Sequence, residues 1–130
     1  MQARTVLVAG ALVLAVGFAA CSEPTNCTDE SVPAVVVTVR DAVTNDYLTV
    51  VPEGVVQDAA YQDSLRVLVF TLALPERVVS LAGADERRGV YTVRLEAEGY
   101  LPWDTSGVAV ARNECHVITA ELQALLDPAS

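Results

Sequence analysis

The chain is 130 residues long, 52% of its residues are hydrophobic, and its formal net charge at pH 7 is −9. This length is enough for one domain with an ordinary hydrophobic core and too short for two. The sequence holds 17 acidic residues and no lysine, which argues against nucleic acid and anionic lipid as partners, because both bind basic patches.

The first twenty residues have the architecture of an export signal. Arg4 lies in a short positive segment, residues 5–17 are an apolar run, and two alanines come directly before Cys21. This order is typical of a secretory signal peptide. The ending also resembles the bacterial lipobox, although Phe18 stands where Leu, Val or Ile is usual.

The resemblance to the lipobox implies a lipid anchor on Cys21. In that family the cysteine receives a diacylglycerol thioether and becomes the new N-terminus, which makes residues 1–20 the signal peptide and residues 21–33 a lipid-anchored tether. Ser22 in place of an aspartate implies the outer membrane. The alternative is an uncleaved anchor, because the uncharged run 5–22 is just long enough to span a bilayer. The polar residues that follow favour cleavage and a linear tether.

Two cysteines remain once Cys21 is assigned to lipid. Cys27 and Cys115 are then an even pair in an oxidising compartment, which predicts a disulfide. The bond would close nearly the whole domain, and the loop-closure entropy of such a span is worth roughly 4 to 5 kcal/mol. The alternative is a pair of free, buried thiols.

Alternating apolar and polar residues predict strands in the first half of the domain. β-Branched residues at period two mark 35–40 as a strand, and a turn over 41–48 leads to a second strand at 48–51. Residues 55–58 either continue that strand after a bulge or form a strand of their own. Residues 59–64 are predicted to be a polar connection.

The apolar run 65–74 is predicted to be a long strand that can be buried on both faces. A helix is the alternative, but the Val, Phe and Thr content of the run and the proline after it favour a strand. The pattern of residues 78–82 is ambiguous and predicts no particular element. A charged turn over 83–89 then precedes the clearest alternation in the chain, at 90–98.

The last part of the chain predicts two more strands, at 108–111 and 115–122, with a helical pattern conceivable only in the tail 120–126. Six to eight short strands separated by turns predict an all-β fold. We expect an antiparallel, Ig-like β-sandwich of about seven strands over residues 34–126.

Two stretches resemble carboxypeptidase regulatory-like domains, which have a transthyretin-like β-sandwich. Residues 89–100 place a Gly, an aromatic residue and an alternating strand before a Gly-Tyr pair, as one strand of that family does. Residues 35–48 resemble its opening strand and Asp-x-x-Thr-Gly turn, with Asn45 as a left-handed turn residue in place of Gly. The resemblance covers about 35–122. It implies a non-catalytic accessory or adhesion module, and no catalytic residue carries over.

Few side chains suggest chemistry. His116 is the only histidine, so a Ser/His/Asp or Cys/His device would need it, but its position beside Cys115 on a predicted strand indicates a surface or edge residue. One imidazole without free thiolates makes a poor zinc site. Carboxylates at Asp58, Asp63 and the 83–89 turn could hold calcium, but acidic loops are usually just solvated. No metal and no other cofactor is expected.

Tyr100 and Trp103 form the one aromatic cluster that suggests binding. Exposed, the two rings would be a patch for sugar stacking or protein contact. The alternative, which their position after a core strand favours, is a plug that closes the end of the sandwich.

We therefore expect an exported module in the bacterial cell envelope, anchored in the outer membrane through Cys21 and facing the periplasm or the surface. Its predicted role is binding or structural, with an envelope protein as partner and no catalysis. A carbohydrate-binding module is one alternative. A small envelope hydrolase that uses His116 is a less favoured one.

Overall fold

The structure, a computed structural model, describes residues 26–130. Cys21 and the predicted signal peptide therefore lie outside the described residues. No helix within 26–130 is long and apolar enough to cross a membrane. The described chain forms eight strands in this order: β1 (Val35–Asp41), β2 (Glu53–Asp58), β3 (Tyr61–Ser64), β4 (Arg66–Phe70), β5 (Val78–Gly83), β6 (Gly89–Glu96), β7 (Trp103–Val110) and β8 (Ala120–Leu126).

The strands form two four-stranded sheets, with strand orders β4-β5-β1-β8 and β3-β2-β6-β7. The core cluster draws residues from both sheets, and the predicted all-β sandwich is confirmed. β1 and β8 pair in parallel, whereas the other strand pairs are antiparallel. The edges of the two sheets are therefore β4, β8, β3 and β7.

Period-two alternation places the core where the sequence predicts it. In β1, Val35, Val37 and Val39 are completely buried, and partly exposed residues lie between them. In β6, Tyr91 and Val93 are buried and their neighbours in the strand are exposed. Because burying one such side chain is worth about 1.5 to 3 kcal/mol, this alternation fixes which face of each strand points inward.

The second predicted strand, at 48–51, is wrong. Leu48 makes only an isolated bridge to Val78, and regular pairing begins at Glu53, directly after Pro52. Proline has no amide proton to donate to a ladder, so a strand that starts after it forgoes no ladder hydrogen bond. Residues 55–58 therefore belong to a strand of their own, β2.

The predicted polar connection at 59–64 is also wrong, because its last four residues form β3. β2 and β3 form a tight hairpin whose turn residue Ala59 has a φ of 50°. β3 is polar because it is an edge strand: Gln62 and Ser64 are exposed. Only Tyr61 and Asp63 are partly buried in β3, so the strand lacks the apolar alternation by which a sequence pattern reveals a strand.

Leu65 lies where the chain crosses from β3 in one sheet to β4 in the other. A Cβ added to Gly54 would lie 2.6 Å from one methyl carbon of Leu65, and a Cβ added to Gly83 would lie 2.8 Å from the other. Both distances are shorter than real carbon contacts. Glycine at these two positions therefore lets Leu65 fill the space beside both sheets.

β4 differs most from its prediction. It ends at Phe70 rather than at residue 74, and all five of its residues are exposed, so burial on both faces is wrong. β4 is an edge strand bonded to β5 alone, and its register shifts on both sides of Val69. After it, the amide of Thr71 donates to the carbonyl of Arg77 (2.8 Å), which closes a loop outside the sheet.

The C-terminal strands are displaced from their predicted positions. β7 begins at Trp103, whereas the strand predicted there began at residue 108, and the last strand begins at Ala120 rather than at Cys115. The tail 120–126 is β8 and not a helix. It pairs with β1 along its whole length, from Val35 opposite Ala120 onward, and this ladder satisfies backbone groups that a helix would have bonded internally.

Candidate functional site

One end of the sandwich is bound tightly to the segment that precedes β1. We call residues 26–34, the turn 84–88 and the loop 111–119 the tether end. Cys27 and Cys115 form a disulfide there, with their Cα atoms 5.1 Å apart, so the predicted pairing is confirmed.

Glu86 is the centre of the tether end. Its Oε1 accepts the amide of Val32 at 3.0 Å and lies 2.5 Å from Nδ1 of His116, and its own amide donates to the carbonyl of Val32 at 2.8 Å. The Val32 amide, which has the largest effect, and the His116 ring lower the pKa of Glu86 below its ordinary 4.5, against a smaller opposing effect of desolvation. Oε2 of Glu86 lies 3.8 Å from Nη1 of Arg112.

His116 links Glu86 to the tether. Its Nε2 lies 2.9 Å from Oγ1 of Thr28. Because a carboxylate can only accept, the ring donates from Nδ1 to Glu86. Nε2 accepts the Thr28 hydroxyl proton when the ring is neutral and donates to the Thr28 oxygen when the ring is protonated. The ring is held in a turn and not on the predicted strand, since the side-chain oxygen of Asn113 accepts the amides of Cys115 (2.9 Å) and His116 (2.8 Å).

The order hydroxyl, imidazole, carboxylate is also the order of a serine-hydrolase triad. Such an order can move a proton from Thr28 to His116, but acyl transfer also needs a cavity for substrate and donors for an oxyanion. Two shallow grooves, of about 600 and 750 Å³, lie along β2 and β6, and neither is lined by Thr28, Glu86 or His116.

The acidic residues considered for calcium are bonded to protein groups. Asp58 pairs with Arg87 at 3.0 Å, Asp63 accepts the amide of Ala84 at 2.9 Å, and Asp85 pairs with Arg66 at 3.0 Å. Within residues 26–130, no group of three or more His, Cys, Asp or Glu side chains is arranged to hold a metal ion.

Tyr100 and Trp103 do not form an open aromatic platform. Both are half-buried and pack against the core cluster. The Tyr100 hydroxyl donates to Oδ2 of Asp41 at 2.9 Å, and burial and this carboxylate raise the pKa of Tyr100. Their contacts favour a plug at the end of the sandwich over a sugar-stacking patch.

Within residues 26–130, a run of exposed apolar side chains follows β4 and the loop after it. We call Val67–Phe70 together with Leu72 and Leu74 the apolar edge. Exposure rises along it, from 38% at Val67 through 51% at Phe70 to 89% at Leu74. An apolar row on an unpaired sheet edge is a template for another chain, and soluble monomers rarely leave one uncovered.

The other three sheet edges are polar. Exposed hydrophilic residues interrupt each of them, namely Gln62 and Ser64 in β3, Asp104 and Ser106 in β7, and Glu121 and Gln123 in β8. Polar and charged residues are the usual protection of a free edge. Within the described residues, β4 is therefore the edge suited to contact with another apolar surface.

Sequence reasoning missed both the exposure of the apolar edge and the contacts that join Thr28, His116 and Glu86. The run 65–74 was found, but nothing in its pattern distinguishes a doubly buried strand from an exposed edge. Thr28 and Glu86 were not linked to His116, because 88 and 30 residues separate them from it. The lack of ionisable residues from 67 to 75 was the one signal that could have pointed to a contact surface.

No protein-family model matches the chain, and no curated protein matches it at a significant level. The case for a function therefore rests on the tether end and the apolar edge.

Proposed function

We propose that this chain is an exported, lipid-anchored β-sandwich module with a binding or structural role in the bacterial cell envelope, and that the apolar edge is its protein contact. The observation that carries the proposal is the exposed apolar row on β4. Contact with a protein would remove that row from water, which is the main favourable term in protein association.

The tether end supports the anchoring part of the proposal. Only five residues separate Cys21 from Cys27, and Cys27 is bonded to Cys115. A disulfide is typical of an exported protein. Since the bond fixes the chain shortly after the expected lipid, the sandwich would be held within about 20 Å of the membrane, the reach of six extended residues.

The fold supports the expected likeness to carboxypeptidase regulatory-like domains. Residues 89–100 of that resemblance include β6, whose Tyr91 is buried in the core. Asn45 has a φ of 60°, the left-handed conformation for which the family uses Gly. On this likeness we propose that the sandwich acts as an accessory module rather than as an enzyme.

We assign the Thr28–His116–Glu86 network to holding the tether and not to catalysis. The same Glu86 oxygen that contacts His116 also accepts the Val32 amide, so its bonds join the tether segment to the body of the domain. The hydrolase alternative predicts ester hydrolysis that disappears in both His116→Ala and Thr28→Val. We expect no ester hydrolysis above background in the unmodified protein.

Photo-crosslinking in cells tests the contact. A photoreactive amino acid at Leu72, which is 87% exposed, is compared with the same amino acid at Val43, which is 78% exposed and lies in the turn after β1. We expect a discrete protein adduct from position 72 and none from position 43. Equal adducts at both positions, or none at either, would refute the contact.

Intact mass spectrometry of the membrane-extracted protein tests the anchor and the disulfide together. We expect a chain that begins at Cys21 and carries lipid, and a gain of two hydrogen atoms in mass on reduction. Cys21→Ser should move the protein out of the membrane fraction. A mass that retains residues 1–20 would show an uncleaved anchor instead.

A further inference from the structure

We infer that the apolar edge docks against a second copy of this chain, with the two β4 strands antiparallel about a two-fold axis. The inference rests on the proposed function, since it names the occupant of that contact surface. Three properties of β4 and of the loop after it carry the argument: the area that is exposed, the distribution of charge, and the signs of the flanking residues.

The exposed area is sufficient for a symmetric contact. The exposed fractions of the six apolar-edge residues, 38% to 89%, correspond to roughly 600 Å² of residue surface per copy, backbone included. Complete mutual burial by two copies would remove at most about 1,200 Å² from water, the lower end of the range for specific protein interfaces. A two-fold contact needs no second apolar surface on the chain, because each copy supplies the same one.

The charge distribution permits self-association at this edge. The chain as a whole carries −9, so two copies repel each other wherever acidic surfaces meet. Residues 67–75 contain no ionisable side chain. The apolar edge is therefore a surface along which two copies can approach without bringing one carboxylate against another.

The flanking charges are better matched in the antiparallel arrangement. Arg66, at the start of β4, pairs with Asp85 of the same chain at 3.0 Å but keeps a side chain that is 49% exposed, and Glu76 lies beyond the end of the apolar edge and is exposed. Antiparallel alignment brings the arginine end of one copy toward the glutamate end of the other. Parallel alignment would place like charges together at both ends.

The shape of β4 limits how far the ladder can extend. The shifts in register on both sides of Val69 bend the strand, so backbone pairing with a second copy would be confined to a few residues centred near Leu68. Leu72 and Leu74, outside the sheet and almost fully exposed, would complete the contact through their side chains.

Light scattering on the full chain, extracted in detergent, measures the oligomeric state. We expect a protein mass roughly twofold that of one chain at micromolar concentration. The double variant Leu72→Glu with Leu74→Glu should reduce it to that of one chain. These side chains are too exposed to support the fold, so loss of the dimer would not reflect unfolding. Val43→Glu, which adds the same charge at another exposed position, should leave the dimer intact.

A single introduced cysteine locates the axis. Leu68→Cys should form a disulfide between two copies, because a residue near a two-fold axis faces its own equivalent, whereas Val43→Cys should not. A dimer that survives Leu72→Glu with Leu74→Glu would overturn the inference, since another surface would then hold it.

The inference and the proposed function can fail separately. A protein of one-chain mass at every concentration, combined with a crosslink from position 72 to a different protein, would overturn the second copy and leave the contact surface in place. A one-chain mass without any position-specific crosslink would overturn both.

Discussion

The tether end and the apolar edge differ in how far their residues are bonded to the rest of the domain. At the tether end a disulfide and the bonds of Glu86 tie the segment before β1 to a turn and a loop that are distant in sequence. On β4 the apolar side chains are exposed and contribute little buried surface to the core. Contacts within the domain therefore hold the segment before β1 in place, whereas β4 is left available for contact with another molecule.

Breaking the disulfide should have the largest effect on this comparison. The double variant Cys27→Ser with Cys115→Ser is expected to lower the free energy of unfolding by roughly 4 to 5 kcal/mol, because the bond closes a loop with a sequence separation of 88. Urea denaturation measures the change. Reduction of the unmodified protein should reproduce it, and a loss below about 1 kcal/mol would mean that the bond adds little constraint.

A matched pair of leucines compares a core position with the apolar edge. Leu81→Ala in β5, where the leucine is 1% exposed, should cost about 2 to 5 kcal/mol of unfolding free energy. Leu72→Ala, where the leucine is 87% exposed, should change it by less than about 0.5 kcal/mol. The two variants are compared by urea denaturation at concentrations where the protein is monomeric. Equal losses of unfolding free energy would show that the apolar edge supports the fold.

The charge of Glu86 should make the tether end sensitive to acid. Since the pKa of Glu86 is lowered by folding, its contribution to stability is present above its ordinary value of 4.5 and is lost as the pH falls through the lower folded value. Glu86→Gln should therefore be less stable than the unmodified protein at neutral pH, and the difference should shrink below pH 4.5. Unfolding curves across this range test it. A difference that is independent of pH would assign the effect to packing.

The smallest change is expected from Thr28→Val. Thr28 is exposed, and the adjacent disulfide already holds the tether in place. Loss of its bond to His116 should alter the free energy of unfolding by no more than about 0.5 kcal/mol. A larger loss, measured beside the Glu86→Gln variant, would show that the hydroxyl bond and the carboxylate act together.

The sequence determined those elements that are set by local pattern. Alternation at period two fixed the buried faces of β1 and β6, and Asn45 marked a left-handed turn, because each depends on neighbouring residues alone. The cysteines could also be paired, since the odd one, Cys21, was assigned to lipid and only two were left. The sequence left two alternatives open for residues 55–58, and the separate strand, which begins directly after Pro52, is the one that the structure has.

The order of the strands in the sheets decided which strands are edges and which distant residues meet. No local sequence pattern encodes that order. Whether 65–74 is a doubly buried strand or an exposed edge depends on which strands lie beside it, and only the arrangement β4-β5-β1-β8 puts it outermost. The parallel pairing of β1 with β8 likewise joins the two ends of the domain. The Thr28–His116–Glu86 network arises only after that closure. A side chain's identity specifies what it can bond, whereas its partner is specified by the tertiary structure that brings distant segments together.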